Sequence, residues 1–394
     1  MSAIAEKVLH RQLRNVRAKK KYARRSAPAP AIAILGVMFD NVTLRGAIQR
    51  IEEMVETRRP HYVITANVDF LVQARRDAEL HDILLDAHLV LCDGMPLVWA
   101  SRWLGNPLPE RVAGADLVPE LIKVAAEKNY RLFLLGATPE ANAQAAANIL
   151  TQFPQAIIAG CYSPPFKPLS KSEQYQIFEK VHEARPDILL VAFGCPKAEK
   201  WIAAHYRALG VPVTIGVGAT IDFLAGHMKR APLWMQKTGT EWIFRMCQEP
   251  RRLFRRYVSD LWHFGREIPL QWWNLKPKRK PEFSSSYCST LWKSEWQRIR
   301  APINLDVDIA RRGNLLWRHA EDHHLLLDLA DVDFIDSTGV GLLLQLRKKT
   351  RHEGRRLVLL SPSEPVQRAL KFMRVQNCFA TINSLTHEAF SEIK

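Results

Sequence analysis

Five apolar runs in this sequence each end in residues able to do chemistry. Val63-Ile64 leads into Thr65-Ala66-Asn67, and Leu89-Val90-Leu91 into Asp93-Gly94. Leu132-Phe133-Leu134-Leu135 leads into Gly136, Ile188-Leu189-Leu190-Val191 into Gly194-Cys195-Pro196-Lys197, and Val213-Thr214-Ile215 into Gly216-Val217-Gly218. A carboxylate beside a glycine has little bulk to shield it. Partly desolvated, it gains basicity and can take a proton from a hydroxyl. Asp93 fits that role. It also fits the N-cap of a helix near Pro96–Leu104, and position alone favours the cap. Gly136-Ala137-Thr138-Pro139-Glu140 joins strand to helix, where backbone N–H groups and the helix dipole suit a diphosphate. Gly216-Val217-Gly218 is a similar turn that close packing explains equally well. Arg111 either grips a phosphate or pairs with Asp116. No GxGxxG occurs, which argues against a dinucleotide enzyme, and no DxD pair ends a strand in residues 31–226.

Such residues share a pocket only if their strands run parallel, because ligands then sit outside the strands' carboxyl ends. Strand-like and helix-like segments alternate from about Ala31 to Gly226, the pattern of βαβ units. Helical periodicity marks Leu117–Lys128, Glu140–Leu150 and Gln174–Glu183. Tyr162–Pro168, rich in proline, is a loop long enough to be functional.

The chain has 394 residues, enough for two domains, and its 47% hydrophobic content suffices for a core. Its net charge of +16 is localised: residues 1–25 hold nine Lys/Arg and one acid, and residues 227–280 hold thirteen Lys/Arg and four acids. Such segments want an anionic partner. Six scattered cysteines without a CxxC pair fit a reducing compartment rather than a disulfide framework or zinc site. No apolar run reaches the roughly 18 residues of a membrane span. Residues 1–30 read as a basic disordered tail, although their composition is also that of a transit peptide.

Residues 227–275 form an appendage of different character. Seven of the eleven tryptophans fall between 227 and 300. After Pro250, Leu253, Phe254, Tyr257, Val258, Leu261 and Trp262 repeat with a period near that of a helix, and Arg251, Arg252, Arg255 and Arg256 fill the other face. The helix is either a core element with solvated arginines or a membrane-surface helix. Trp272-Trp273 and the Lys276–Lys280 run favour the membrane. Residues 276–299 read as a linker, and 300–394 as a second, smaller α/β domain.

The ordered motifs resemble the WecG/TagA/CpsF glycosyltransferases over about residues 35–262. They are Thr65-x-Asn67, Asp93-Gly94, Arg111-Val-Ala-Gly114-x-Asp116, Phe133-Leu-Leu-Gly136, Gly194-x-Pro196-Lys197-x-Glu199-Lys-Trp201, Gly216-Val-Gly218-x-x-x-Asp222 and Glu249-Pro-Arg-Arg252-Leu. The resemblance implies a Rossmann-like parallel-sheet fold. It also implies inverting transfer of a sugar from a UDP-sugar to N-acetylglucosaminyl-diphospho-undecaprenol, with no metal and no cofactor. It makes Asp93 the general base and Thr65 an active-site threonine. Asn67, Arg111, Gly136, Gly194, Pro196, Lys197, Glu199, Gly218 and Asp222 become substrate-binding positions. Arg245, Arg252 and Arg255 become the appendage arginines on the acceptor diphosphate, a task suited to bidentate donors. Ala198 stands where that family usually has a glutamine that contacts sugar.

Leu327-Asp-Leu-x-x-Val-x-Phe334-Ile-Asp336-Ser337-Thr338-Gly339-Val-Gly341 resembles a STAS domain. In that family the serine before a helix can be phosphorylated. Ser337 is therefore a candidate phosphosite, or simply a helix cap on a partner-binding module. The usual glycine of the first strand is missing near Asn304–Ile309. The expectation is a peripheral enzyme on the cytoplasmic face of a bacterial membrane, serving exopolysaccharide or surface-glycan synthesis, with no nucleic-acid partner. The donor carries ManNAc, its uronate or glucose. The alternatives are a non-catalytic UDP-sugar sensor signalling through the STAS module and a nucleic-acid binder.

Overall fold

The computed structural model describes residues 29–228, 230–248, 250–276, 288–293, 295–312 and 323–385; the basic tail at 1–28 lies outside them. The first elements are strands β1 (Ile32–Ile34) and β2 (Val37–Phe39), paired as an antiparallel hairpin. Strands β3 (His61–Ala66), β4 (Leu89–Cys92), β5 (Arg131–Gly136), β6 (Ile157–Tyr162), β7 (Ile188–Ala192) and β8 (Val213–Gly216) form one sheet in the order β4-β3-β8-β7-β5-β6. Every pairing in it is parallel.

Both faces of this sheet are covered, so its central strands read as unbroken apolar runs. In β7, Leu189 and Val191 enter one core, with Phe264 and Ile268, while Ile188 and Leu190 enter another, with Leu121 and Ala145. The helices expected at Leu117–Lys128, Glu140–Leu150 and Gln174–Glu183 are observed as Gly114–Lys128, Pro139–Gln152 and Lys171–Ala184. Beyond the sheet come the helices Leu233–Thr238, Glu241–Gln248 and Pro250–Asn274.

The second domain begins earlier than its sequence suggests. Strands β9 (Cys288–Lys293) and β10 (Trp296–Arg300) occupy part of the 276–299 segment read as linker. Strands β11 (Asn304–Leu305) and β13 (Phe334–Ile335) pair by themselves, while β12 (His324–Asp328), β14 (Leu357–Leu360) and β15 (Ala380–Ile382) complete a sheet ordered β15-β14-β12-β10-β9. The missing first-strand glycine near Asn304–Ile309 is explained by this start: the first two strands of the larger sheet precede that point.

The two domains share the β1–β2 hairpin. Ile32 and Ile34 enter the core of the first domain, and Ala31 and Ala33 enter that of the second. Small alanines let the helix Ser337–His352 come close. A Cβ on Gly341 would sit 2.8 Å from Ala31 O, so a side chain there would push the domains apart. Gln271, fully buried on the long helix, ties the three parts together. Leu35 N–H donates to its Oε1 (2.8 Å), and its Nε2 donates to Ala33 O and to Ser337 Oγ (2.9 Å each). Charges reinforce the contact: Lys348 lies 3.7 Å from Asp40, which also pairs with Arg50, and Arg347 lies 3.1 Å from Asp86.

Candidate active site

A cavity of about 600 Å³ opens at the carboxyl edge of the six-stranded sheet. It is lined by Thr65 near the end of β3 and Asn67 after it, Asp93 after β4, Ala137 and Thr138 after β5, Gly194 after β7, and Gly218 after β8. The five strand ends singled out in the sequence therefore do meet. Parallel pairing puts them on one edge, and the helices that follow keep the edge open.

Asp93 does not cap the next helix. That helix, Met95–Trp103, has Gly94 at its N-cap and no side-chain cap hydrogen bond. Asp93 is instead held by its backbone, whose N–H donates to Ala66 O (2.9 Å), and its carboxyl faces the cavity. Burial pushes that carboxyl up to about 6, against the pull of Arg111 and Arg245 and with the push of Glu241 and Asp116. The result is a carboxylate ionised at neutral pH yet more basic than an ordinary one.

Arg111 fulfils the ion-pair reading: it bonds Asp116 at 2.8 Å and also Glu241 of the appendage. It lines the cavity with its charge largely matched, so it fixes the appendage over the site. Thr65 is nearly buried beside Gly114. Asn67 caps the helix Val68–Ala74, accepting from Phe70 N–H at 3.3 Å. Gly136 lies beneath the cavity. Its φ of +102° and the 2.6 Å from an added Cβ to Ala192 O exclude any side chain. Asn142 Nδ2 donates to Gly136 O and Ser163 Oγ, fixing the turn that presents Ala137 and Thr138.

Glu199 is 4% exposed and lines the cavity, and among the described residues its Oε2 has no hydrogen-bond partner. Burial lifts its carboxyl to about 7. Asp222 also lines the cavity, but Pro196 and Lys197 do not, and Lys197 is exposed on the first turn of its helix. Ala198 is buried in the core rather than lining the cavity.

The appendage needs one correction. Arg245 lines the cavity and stacks over Phe223 (5.4 Å), but Arg255 is exposed away from it, and Arg256 enters in its place. The side chain of Arg252 lies outside the described residues. Helical phase explains the exchange. Inward packing of Phe264 and Ile268 sets which face turns down, and residues 256, 257, 260 and 261 then overhang the cavity. Asp69, Tyr257 and Asp260 were missed in the sequence. The only signal for Tyr257 and Asp260 was helical spacing from an arginine whose phase was unknown, and for Asp69 its place just after Asn67.

In the second domain, Asp336 caps the helix Ser337–His352, accepting from Thr338 and Gly339 N–H. Ser337, 2% exposed, is the first helical residue and not the cap. Its hydroxyl accepts from Gln271, so the docked arrangement closes it to a phosphorylating enzyme.

A parallel α/β domain with a basic, half-buried acid at its strand ends fits group transfer from a nucleotide-bound donor, and the chain belongs to the glycosyl transferase WecG/TagA/CpsF family, whose model matches residues 32–278. A STAS domain model matches residues 296–389. The chain is 30% identical over 227 residues to a Bacillus subtilis (strain 168) protein, the N-acetylglucosaminyldiphosphoundecaprenol N-acetyl-beta-D-mannosaminyltransferase, covering 57% of this chain and 86% of that relative. A Staphylococcus aureus (strain MRSA252) protein of the same name is 29% identical over 226 residues, covering 57% of this chain and 87% of the relative. The protein is a glycosyltransferase carrying a STAS domain.

Proposed function

We propose that the enzyme moves a sugar, with inversion and without a metal, from a UDP-sugar to a polyprenyl-diphosphate-linked acceptor such as the N-acetylglucosaminyl lipid in the relatives' names. The observation that carries this reading is Asp93, raised to about 6, in one cavity with Arg245 and Arg256 from the appendage. The carboxylate takes the acceptor hydroxyl's proton as its oxygen bonds to the anomeric carbon. The bond from that carbon to the UDP oxygen breaks, and the electron pair leaves on the diphosphate. Cationic and N–H donors facing the diphosphate stabilise that charge.

The acceptor's lipid calls for a membrane surface, and the exposed face of the protein supports one. Trp262 and Trp273 are 71% and 72% exposed on the long helix, beside Phe254, Val258 and Leu261. Trp99 and Trp103 continue the patch on the helix that follows Asp93, and Trp103 stacks on Trp272 at 6.0 Å. Exposed apolar surface of this extent, flanked by arginines, marks a docking face. Among the described residues no helix is long and apolar enough to cross a membrane. The enzyme works at the cytoplasmic leaflet, where UDP-sugars are made, and feeds surface-glycan synthesis.

The test is transfer of radiolabel from UDP-ManNAc, UDP-ManNAc uronate and UDP-glucose to a short-chain N-acetylglucosaminyl diphosphate lipid, with Asp93→Asn alongside. Product from one donor in the native enzyme alone supports the reading. No product from any donor, or equal product from the variant, overturns it.

A further inference from the structure

Asp260 is an acid in the cavity that the transfer step leaves without a task. It sits on the overhanging face of the long helix, is 6% exposed and lines the cavity. Among the described residues no hydrogen bond or ion pair reaches its carboxyl. Across from it is a like charge, Asp69, on the helix that Asn67 caps; Arg256 approaches Asp69 at 3.8 Å. Burial lifts its carboxyl to about 7 against the pull of Arg256, His263 and Arg76, and a donor from a bound ligand would offset that burial further.

The sheet order says which part of a substrate could do so. Strand β4 leads to Asp93 and its neighbour β3 to Asp69, so Asp69, and Asp260 across from it, lie at the Asp93 end of the cavity. The glycine turns after β8, β7 and β5 lie at the other end. A diphosphate belongs with backbone N–H groups. Sugar hydroxyls are the reverse case, being neutral donors that a carboxyl can accept from.

We propose that Asp260, with Asp69, forms the subsite that receives the hydroxyl groups of the acceptor's sugar ring. The inference rests on the transfer reading above, since it needs an acceptor whose reacting hydroxyl lies at Asp93. The appendage then does two jobs from one helix turn: Arg256 at the diphosphate side and Asp260, four residues on, at the ring. The helix recognises the sugar head of the lipid as well as its charge.

The test compares Asp260→Asn and Asp260→Ala with the native full-length enzyme, measuring KM for the lipid acceptor, KM for the UDP-sugar and binding to anionic vesicles. Loss of a hydrogen bond to a charged group is expected to raise acceptor KM about 10-fold or more in the alanine variant. Donor KM and vesicle binding should stay within about twofold. Acceptor KM unchanged in both variants overturns the inference, as does a parallel rise in donor KM, which a merely structural role would give. If Asp93→Asn is inactive and Asp260→Ala is normal, only this inference fails. If Asp93→Asn keeps full turnover, the transfer reading itself fails.

Discussion

Replacing Gln271 with leucine tests how firmly the STAS domain holds the long helix. The substitution keeps the volume and removes the amide. Leu35 N–H and Ala33 C=O, both at buried residues, would then lose their partner, and Ser337 would lose its donor. Each stranded backbone group costs about 1–3 kcal/mol, so the junction weakens by about 2–6 kcal/mol. The assay is native-state amide exchange at Leu35, whose N–H reports opening of this junction directly. An exchange rate raised about 30-fold or more is expected, since about 1.4 kcal/mol is a factor of ten. Ser337→Ala removes only one of two acceptors from Gln271 Nε2 and should cost about 1 kcal/mol or less. Ser337→Asp places a carboxylate in the same buried contact, beside Asp336, whose own carboxyl burial lifts to about 7. It should open the junction more than either. Leu35 exchange within about threefold of native in Gln271→Leu would refute the reasoning, because the amide would then not be what holds the hairpin to the helix.

Three further outcomes are expected. Trp262→Ser with Trp273→Ser should reduce binding to anionic vesicles. Native binding should weaken as salt shortens the screening length from about 10 Å at 0.1 M to about 3 Å at 1 M; a sedimentation assay checks both. Lys348→Met removes one partner of a buried pair while Asp40 keeps Arg50 and Val90 N–H. It should cost about 3 kcal/mol by urea unfolding, the low end for breaking such a pair.

The strand ends of the catalytic domain were legible because its central strands are buried on both faces. They read as solid apolar runs, and whatever polar residue follows marks the edge where the site lies. Asp93 was ambiguous for a local reason. An acid after a strand and before a helix can cap or catalyse, and only the observed Gly94 cap separates the two. The shared hairpin was hidden because Ala31-Ile32-Ala33-Ile34 is too short an alternation to announce that each face enters a different core. Strands β9 and β10 were hidden by their polar residues, Ser289, Thr290 and Lys293 in the first and Gln297, Arg298 and Arg300 in the second. The arginine reaching the cavity was misassigned by one residue. On a helix that is a rotation of about 100°, set here by Phe264 and Ile268 and not by the arginines. Ser337 was likewise one residue from the true cap.

Turnover of Asp93→Asn across pH 5–8, at saturating donor and acceptor, tests the central claim most directly. The folded-state carboxyl is raised to about 6, so its proton-accepting form is present above that pH and is lost as pH falls through it. Native turnover should therefore drop about tenfold per unit well below pH 6. The variant should be about 10²–10⁴-fold slower at pH 7.5 and should lack that limb, with UDP binding unchanged. Turnover of the variant within tenfold of native, with the same acid limb, would contradict the account.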